Sequence, residues 1–245
     1  MKSPRCPKIY DAVLRRVAAL NLRPGAKVLD APCGNGEISM ALAKKGMEVS
    51  AIDIVDELLP QARAALGDRF RLADLTGELP WPDESFEVIL CIEGIEHLEN
   101  AFAFVREVHR VCRPGGAFII TTPNSISIRS RVRFLGSGFF LSDPRPLNEA
   151  SRHPLHHIGL KTFSDLRYLL HTSGFQIFDV QPTHVKPISY AYALLTPWMW
   201  LYTLIAFRKE RDTSQRARNR EIRRTQASRA LLFGENILIA ARKDG

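Results

Sequence analysis

Four acidic side chains stand at or just beyond the ends of four apolar runs: Asp30 after VL, Asp53 after MEVSAI, Asp74 after FRLA and Glu93 after FEVILCI. A carboxylate in that place can accept hydrogen bonds from hydroxyl or amino groups, or face a cation. Between the first two lies VLDAPCGNGE, residues 28–37, with Gly34 and Gly36 in a loop ahead of a helix. Strand, glycine loop and helix together cradle a nucleotide. Position 39 is serine, so the third glycine of a dinucleotide fingerprint is missing. Glu37 would also put a negative charge beside a pyrophosphate, which is unfavourable at short range. An NAD-dependent oxidoreductase is therefore disfavoured.

These residues need a scaffold, and the pattern of the chain supplies one. Helical spacing predicts helices over 8–21, 36–45, 56–66, 98–112 and 162–173. Strands are expected at 27–32, 47–54, 70–74, 86–92, 117–123, 175–180 and 235–242. Residues 101, 104, 105, 108, 111 and 112 place Ala, Phe, Val, Val, Val and Cys on one helical stripe. Arg113-Pro114-Gly115-Gly116 is expected to break that helix, and 124–161 to be irregular. Alternating strands and helices give an α/β fold with a mostly parallel sheet covered on both faces. Ligands of such sheets bind outside the carboxyl ends of the strands, where the four acids stand.

A ligand with a nucleoside, a cation and no phosphate suits this loop, and S-adenosylmethionine has those parts. Asp53 comes 17 residues after Gly36 and can accept from both ribose hydroxyls. Asp74 can accept from the adenine amino group.

The motifs VLDAPCGNGE, AIDI, RLADLTGELPWPDESFEVILCIEGIEHL and RVCRPGGAFIITTPN jointly resemble the class I SAM-dependent methyltransferases. They are most similar to the small-molecule branch that includes the ubiquinone-biosynthesis O-methyltransferases. The resemblance implies a Rossmann-like seven-stranded sheet whose last strand is antiparallel, between the fifth and sixth. It implies that Asp30, Ala31, Gly34 and Gly36 hold the methionyl part, and that Asp53 and Ile54 meet the ribose. Asp74 and Leu75 would flank the adenine, with Ile92 and Glu93 closing the methionyl side. EGIEH matches a pattern associated with a divalent cation in those enzymes, which makes Glu93, Glu96 and His97 the candidate ligands, although no metal is expected here.

Methyl transfer to a hydroxyl benefits from a positioned base. His97, just past the fourth strand, and His157, in the loop after the fifth, are the candidates; His153 and His156 read as loop surface. Arg129, Arg131 and Arg133 either bind an anionic acceptor group or face solvent.

Residues 1–182 with 234–245 are expected to form the catalytic domain, and 183–233 an insertion. Within it, residues 188–207 carry no charge, and 208–230 hold nine Lys/Arg against three Asp/Glu. That segment accounts for +6 of the net charge of +8. One crossing of a membrane would leave the last strand on the wrong side, so the apolar run is either an interfacial anchor against an anionic membrane or a lid or dimer interface. The acceptor is then a small or lipid-linked molecule, quinone-like or sugar-like.

A methyltransferase for RNA or another anionic macromolecule is the alternative suggested by the basic arm. CIEGIEH lacks the Asp/Asn-Pro-Pro-aromatic signature of base-amine methylation, so nucleic acid is not the expected partner. A non-catalytic SAM-binding protein at the membrane is a further alternative, but nothing in the cofactor motif is degraded. Cys6, Cys33, Cys91 and Cys112 make no C-x-x-C pair, and MKSPRCPKIYDAVLRRV lacks the apolar core of a signal peptide. A cytoplasmic protein, peripheral on the inner membrane face at most, is the expectation.

Overall fold

The structure is a computed structural model that describes residues 7–55, 63–64, 66–150 and 153–245. The helix expected over 56–66 falls mainly outside these residues, as does Cys6. The elements run α1 (Pro7–Ala18), β1 (Lys27–Asp30), α2 (Glu37–Ala43), β2 (Glu48–Asp53), β3 (Phe70–Leu72) and β4 (Phe86–Ile92). Then come α3 (Ala101–Val111), β5 (Cys112–Pro123), α4 (Ile128–Ser137), α5 (Phe163–Thr172) and β6 (Phe175–Pro182). The chain closes with α6 (Thr196–Phe207), α7 (Thr213–Gln226), α8 (Arg229–Phe233) and β7 (Asn236–Lys243).

The seven strands form one sheet in the order β3-β2-β1-β4-β5-β7-β6. β1 to β5 are parallel, and β7 runs antiparallel between β5 and β6. The strands are apolar almost throughout because both faces are covered. Successive residues serve opposite sides. Leu29 and Ile89 pack with Phe104, Val105 and Val108 of α3 and Leu166 and Leu170 of α5. Val28, Val49 and Val88 pack with Ile9, Val13 and Val17 of α1 and Ile38 and Leu42 of α2. The stripe expected on α3 is the one it buries, and full burial of Phe104 is worth about 2–3 kcal/mol. Its N-cap Asn100 accepts from the Ala103 N–H, which fixes where the helix starts.

Two expectations need correction. Arg113-Pro114-Gly115-Gly116 does not separate α3 from β5 but lies inside β5, where the register with β4 shifts between Phe86 and Val88. Cys112 already pairs with Phe86 as the helix ends, so the extra residues are accommodated as a bulge. A Cβ on Gly116 would meet the Arg113 carbonyl and the Cys112 sulfur at 2.8 Å. The stretch after β5 is also not wholly irregular: Ser127 caps α4 by accepting from the Ser130 N–H. The helix expected over 162–173 is confirmed, and a reciprocal capping box between Thr162 and Asp165 starts it.

Candidate functional site

β1 delivers Asp30 to the carboxyl edge of the sheet, and the loop after it turns through Gly34 and Gly36 with φ of 51° and 74°. Such positive angles suit glycine. No heavy atom lies within 4 Å of a Cβ built on Gly34, so the loop opens onto free space. The Gly34 N–H donates to Asp53 Oδ2 at 2.8 Å, and the Val55 N–H to Oδ1 at 3.0 Å. Asp53 thereby ties the tip of β2 to the glycine loop. Ser39, where a dinucleotide loop has its third glycine, donates to Asp30 Oδ2 at 2.5 Å. The fingerprint is broken for a reason: the serine on α2 holds the first carboxyl.

Four carboxyls crowd this edge. Burial raises Asp30 to about 7 and Glu93 to about 7. Burial also raises Asp53, and it lifts Glu96 well above its ordinary value with help from the charge of Glu93. Glu93 has φ of 48°, a strained value for a non-glycine residue, and its N–H donates to Thr121. One of its oxygens accepts from Asn236 at the start of β7; the other is buried without a partner. Glu96 accepts from Thr122 at 2.9 Å and likewise keeps a buried unpaired oxygen. Buried acids raised by desolvation are what a cationic ligand with hydroxyl and ammonium donors would satisfy.

A second corner adjoins the first. The His97 Nδ1 lies 3.0 Å from the His156 carbonyl, so Nδ1 carries the hydrogen and Nε2 the lone pair. Burial lowers the pKa of His97, which favours the neutral ring. The His157 ring stands 4.9 Å from that of His97, and its Nδ1 lies 2.9 Å from Asp143 Oδ1. Glu96, His97 and His157 each offer a ligand atom within 4.8 Å of the others. The trio that converges is thus not Glu93, Glu96 and His97, since Glu93 is turned to Asn236.

Other expected residues are placed as follows. β3 ends at Leu72, and Asp74 is exposed, accepting from the Thr76 N–H in a tight turn. Leu75, Ala31 and Ile92 are buried, so they would present backbone to a ligand, whereas Ile54 is exposed. Arg129 pairs with Glu235, and Arg131 donates to the Ile126 carbonyl at 2.7 Å; neither is a free anion-binding group. Arg133 donates to the Pro144 carbonyl at 3.4 Å. Burial raises the thiols of Cys33, Cys91 and Cys112, in keeping with structural roles. Sequence reasoning missed Ser39, Asn236 and Asp143, whose partners Asp30, Glu93 and His157 are brought to them only by folding.

The sheet order and the acid-rich loop edge define a nucleoside-binding doubly wound domain. The model of a family described as "Methyltransferase domain" matches residues 29–120. A ubiquinone biosynthesis O-methyltransferase of Xanthomonas campestris pv. campestris (strain B100) is 31% identical over 192 residues, covering 74% of each chain. A 27-O-demethylrifamycin SV methyltransferase of Amycolatopsis mediterranei is 36% identical over 140 residues, 51% of each chain. Among solved structures, an S-adenosylmethionine-dependent methyltransferase of Mesorhizobium loti matches with TM-score 0.57 and 19% identity, over 96% of this chain and 100% of that one. A 1,6-didemethyltoxoflavin-N1-methyltransferase of Burkholderia thailandensis, solved with S-adenosylhomocysteine, matches with TM-score 0.56 and 18% identity over 97% and 79%. The chain belongs to the SAM-dependent methyltransferases. It is an enzyme whose cofactor is S-adenosylmethionine, and its relatives act on small molecules.

Proposed function

We propose that this enzyme methylates a hydroxyl of a small or lipid-linked, quinone-like or sugar-like acceptor. The observation that carries the reading is the pair of histidines beside the acid-lined edge: the Nδ1 of His97 lies 3.0 Å from the His156 carbonyl, and burial lowers its pKa and so favours the neutral ring, whose Nε2 is then free to take a proton. Residues 1–182 with 234–245 form the catalytic unit, and 183–233 serve access and placement. The setting is the cytoplasm, with the segment 188–230 turned to an anionic membrane surface.

In this reading Asp53 accepts from the ribose hydroxyls while its own backbone donors hold it in place. Asp30, Ala31, Gly34, Gly36 and Glu93 surround the methionyl part, whose ammonium answers the raised carboxyls. Ile54, Asp74 and Leu75 border the nucleoside, and Ile92 stands with Glu93 on the methionyl side. S-adenosylmethionine supplies an electrophilic methyl on a sulfonium. The enzyme aligns the acceptor oxygen with it. As the O–C bond forms, the C–S electron pair stays with sulfur and the hydroxyl proton passes to Nε2 of His97 or to His157. No metal takes part in this route.

Calorimetric titration with S-adenosylhomocysteine, with NAD as control, tests the cofactor half. Wild type should bind at micromolar levels. Asp53→Ala should weaken binding by a factor of ~100 or more, since two ribose hydrogen bonds to a charged group are lost. Incubating membrane extracts with methyl-labelled cofactor tests the other half. Label in an ether of the lipid fraction supports the reading; label confined to RNA overturns it.

A further inference from the structure

The segment between β6 and β7 leaves an apolar helix without a covering. A 3-10 stretch, Pro187–Leu195, leads into α6, and none of the α6 side chains is buried. Leu194 is 89% exposed, Trp198 71%, Tyr202 70% and Ile205 52%. An apolar surface of this kind marks an interaction site. α6 has 12 residues, about 18 Å of helix, too short to cross a bilayer. No helix among the described residues is long and apolar enough to do so.

The chain next to it is a cationic surface whose acids are already used. Glu210 accepts from the Arg211 and Asp212 N–H groups, and Asp212 caps α7 by accepting from Gln215. Glu221 is gripped by both guanidinium nitrogens of Arg167 on α5, at 3.0 and 2.9 Å. Among the described residues, the side chains of Arg208, Lys209, Arg211, Arg220, Arg223 and Arg224 have no hydrogen-bond or ion-pair partner. An apolar helix beside free cations complements one kind of surface, an apolar interior edged with anions. A second copy docked face to face would set the same cations against each other. A nucleic acid would use the cations and leave α6 in water.

Topology says which way this surface faces. β6 runs parallel to β1–β5, so the chain leaves it at the carboxyl edge of the sheet and returns to that edge at Asn236. Asn236 is the residue that donates to Glu93. The Arg167–Glu221 fork fastens α7 to α5, the helix entered directly from the His157 loop.

We propose that α6 lies in the interfacial layer of an anionic bilayer, with the cations of residues 208–224 on its headgroups, so that the carboxyl edge of the sheet and its acceptor corner open toward the membrane. The proposal deepens the partner reading above, but its test is independent of methyl transfer.

Flotation of the full chain with phosphatidylcholine vesicles, with and without phosphatidylglycerol, reads it out directly. Wild type should favour the anionic vesicles by at least about ten-fold and release from them as salt rises. Replacing Arg208, Lys209 and Arg220 by Gln should weaken binding by roughly 100-fold, about five-fold per cation. The double variant Trp198→Ser/Leu201→Ser should lose binding at every salt concentration, and wild-type Trp emission should shift to the blue on anionic vesicles only. S-adenosylhomocysteine titration of each variant shows that it is folded. Equal binding to neutral vesicles, no flotation of a protein that still binds the cofactor analogue, or a dimer that Trp198→Ser/Leu201→Ser dissociates would each overturn the proposal. Loss of cofactor binding in wild type would instead sink the function proposed above and leave the vesicle result standing.

Discussion

Gly94 stands where β4 gives way to the histidine corner, and a Cβ there would lie 2.3 Å from Pro32 Cδ and 2.7 Å from its Cγ. Pro32 belongs to the glycine loop, and its ring cannot swing aside as a flexible side chain would. The contact locks the cofactor loop against the corner that carries Glu96 and His97. Gly94→Ala should therefore cost ~1–3 kcal/mol of stability and lower S-adenosylhomocysteine affinity at least ten-fold. Thermal melts and calorimetry check this, and an alanine variant with wild-type affinity would show that loop and corner move independently. At this scale the sequence revealed residues whose meaning is local. Asp30, Asp53 and Glu93 could be found because each ends or directly follows an apolar run. Ser39 was visible only as a missing glycine, because its partner Asp30 is nine positions away on another element. Asp143 carried no signal: it follows α4 in a stretch without period, and only folding brings it to His157.

Among elements, one side chain clips the return of the chain to the sheet, alongside the Arg129–Glu235 pair and the bond from Asn236 to Glu93. Asn124, the last residue of the TTPN motif, donates its amide to the carbonyls of Ala230, Leu231 and Gly234 at 3.2, 3.0 and 3.0 Å. Its backbone N–H donates to the Glu235 carbonyl. It thus clips α8 and the start of β7 to the end of β5. Asn124→Ala would take the side-chain donor from the buried Leu231 and Gly234 carbonyls, while Ala230 keeps the Gly234 N–H, at a cost of about 2–3 kcal/mol. Hydrogen exchange should then speed up in α8 and in the first residues of β7 before other strands. A uniform increase across the sheet would mean that the clip is not local. Strand order and helix faces were legible because period and burial agree along them, as on α3. The bulge at Arg113–Gly116 was not, since proline and glycine end helices and shape bulges alike. α4 was missed because its apolar stripe is thin: only Ile128 and Ser130 are buried.

The whole molecule carries the electrostatic cost of its site, and pH exposes it. Asp30 titrates near 7 in the folded protein and near 3.8 when exposed, because burial disfavours its charge. Between those values the folded state holds a proton that the unfolded state has lost. The contribution of Asp30 to stability is therefore greatest below pH 4, falls as pH rises from about 4 to 7, and is level above. Other groups titrate in the same window, Glu93 with the same sign and His97 with the opposite one. A comparison with Asp30→Asn removes them, since they are common to both proteins. The amide cannot ionise, so its stability advantage should be near zero at pH 4 and grow to roughly 2–4 kcal/mol at pH 8. The same variant should bind S-adenosylhomocysteine more weakly, because the carboxylate that faces the ammonium is gone. Urea unfolding of both proteins from pH 4 to 8 measures the difference. A gap that stays constant with pH, or an asparagine variant less stable than wild type at pH 8, would mean that Asp30 is already ionised in the free enzyme and that the loop needs no cation to settle it.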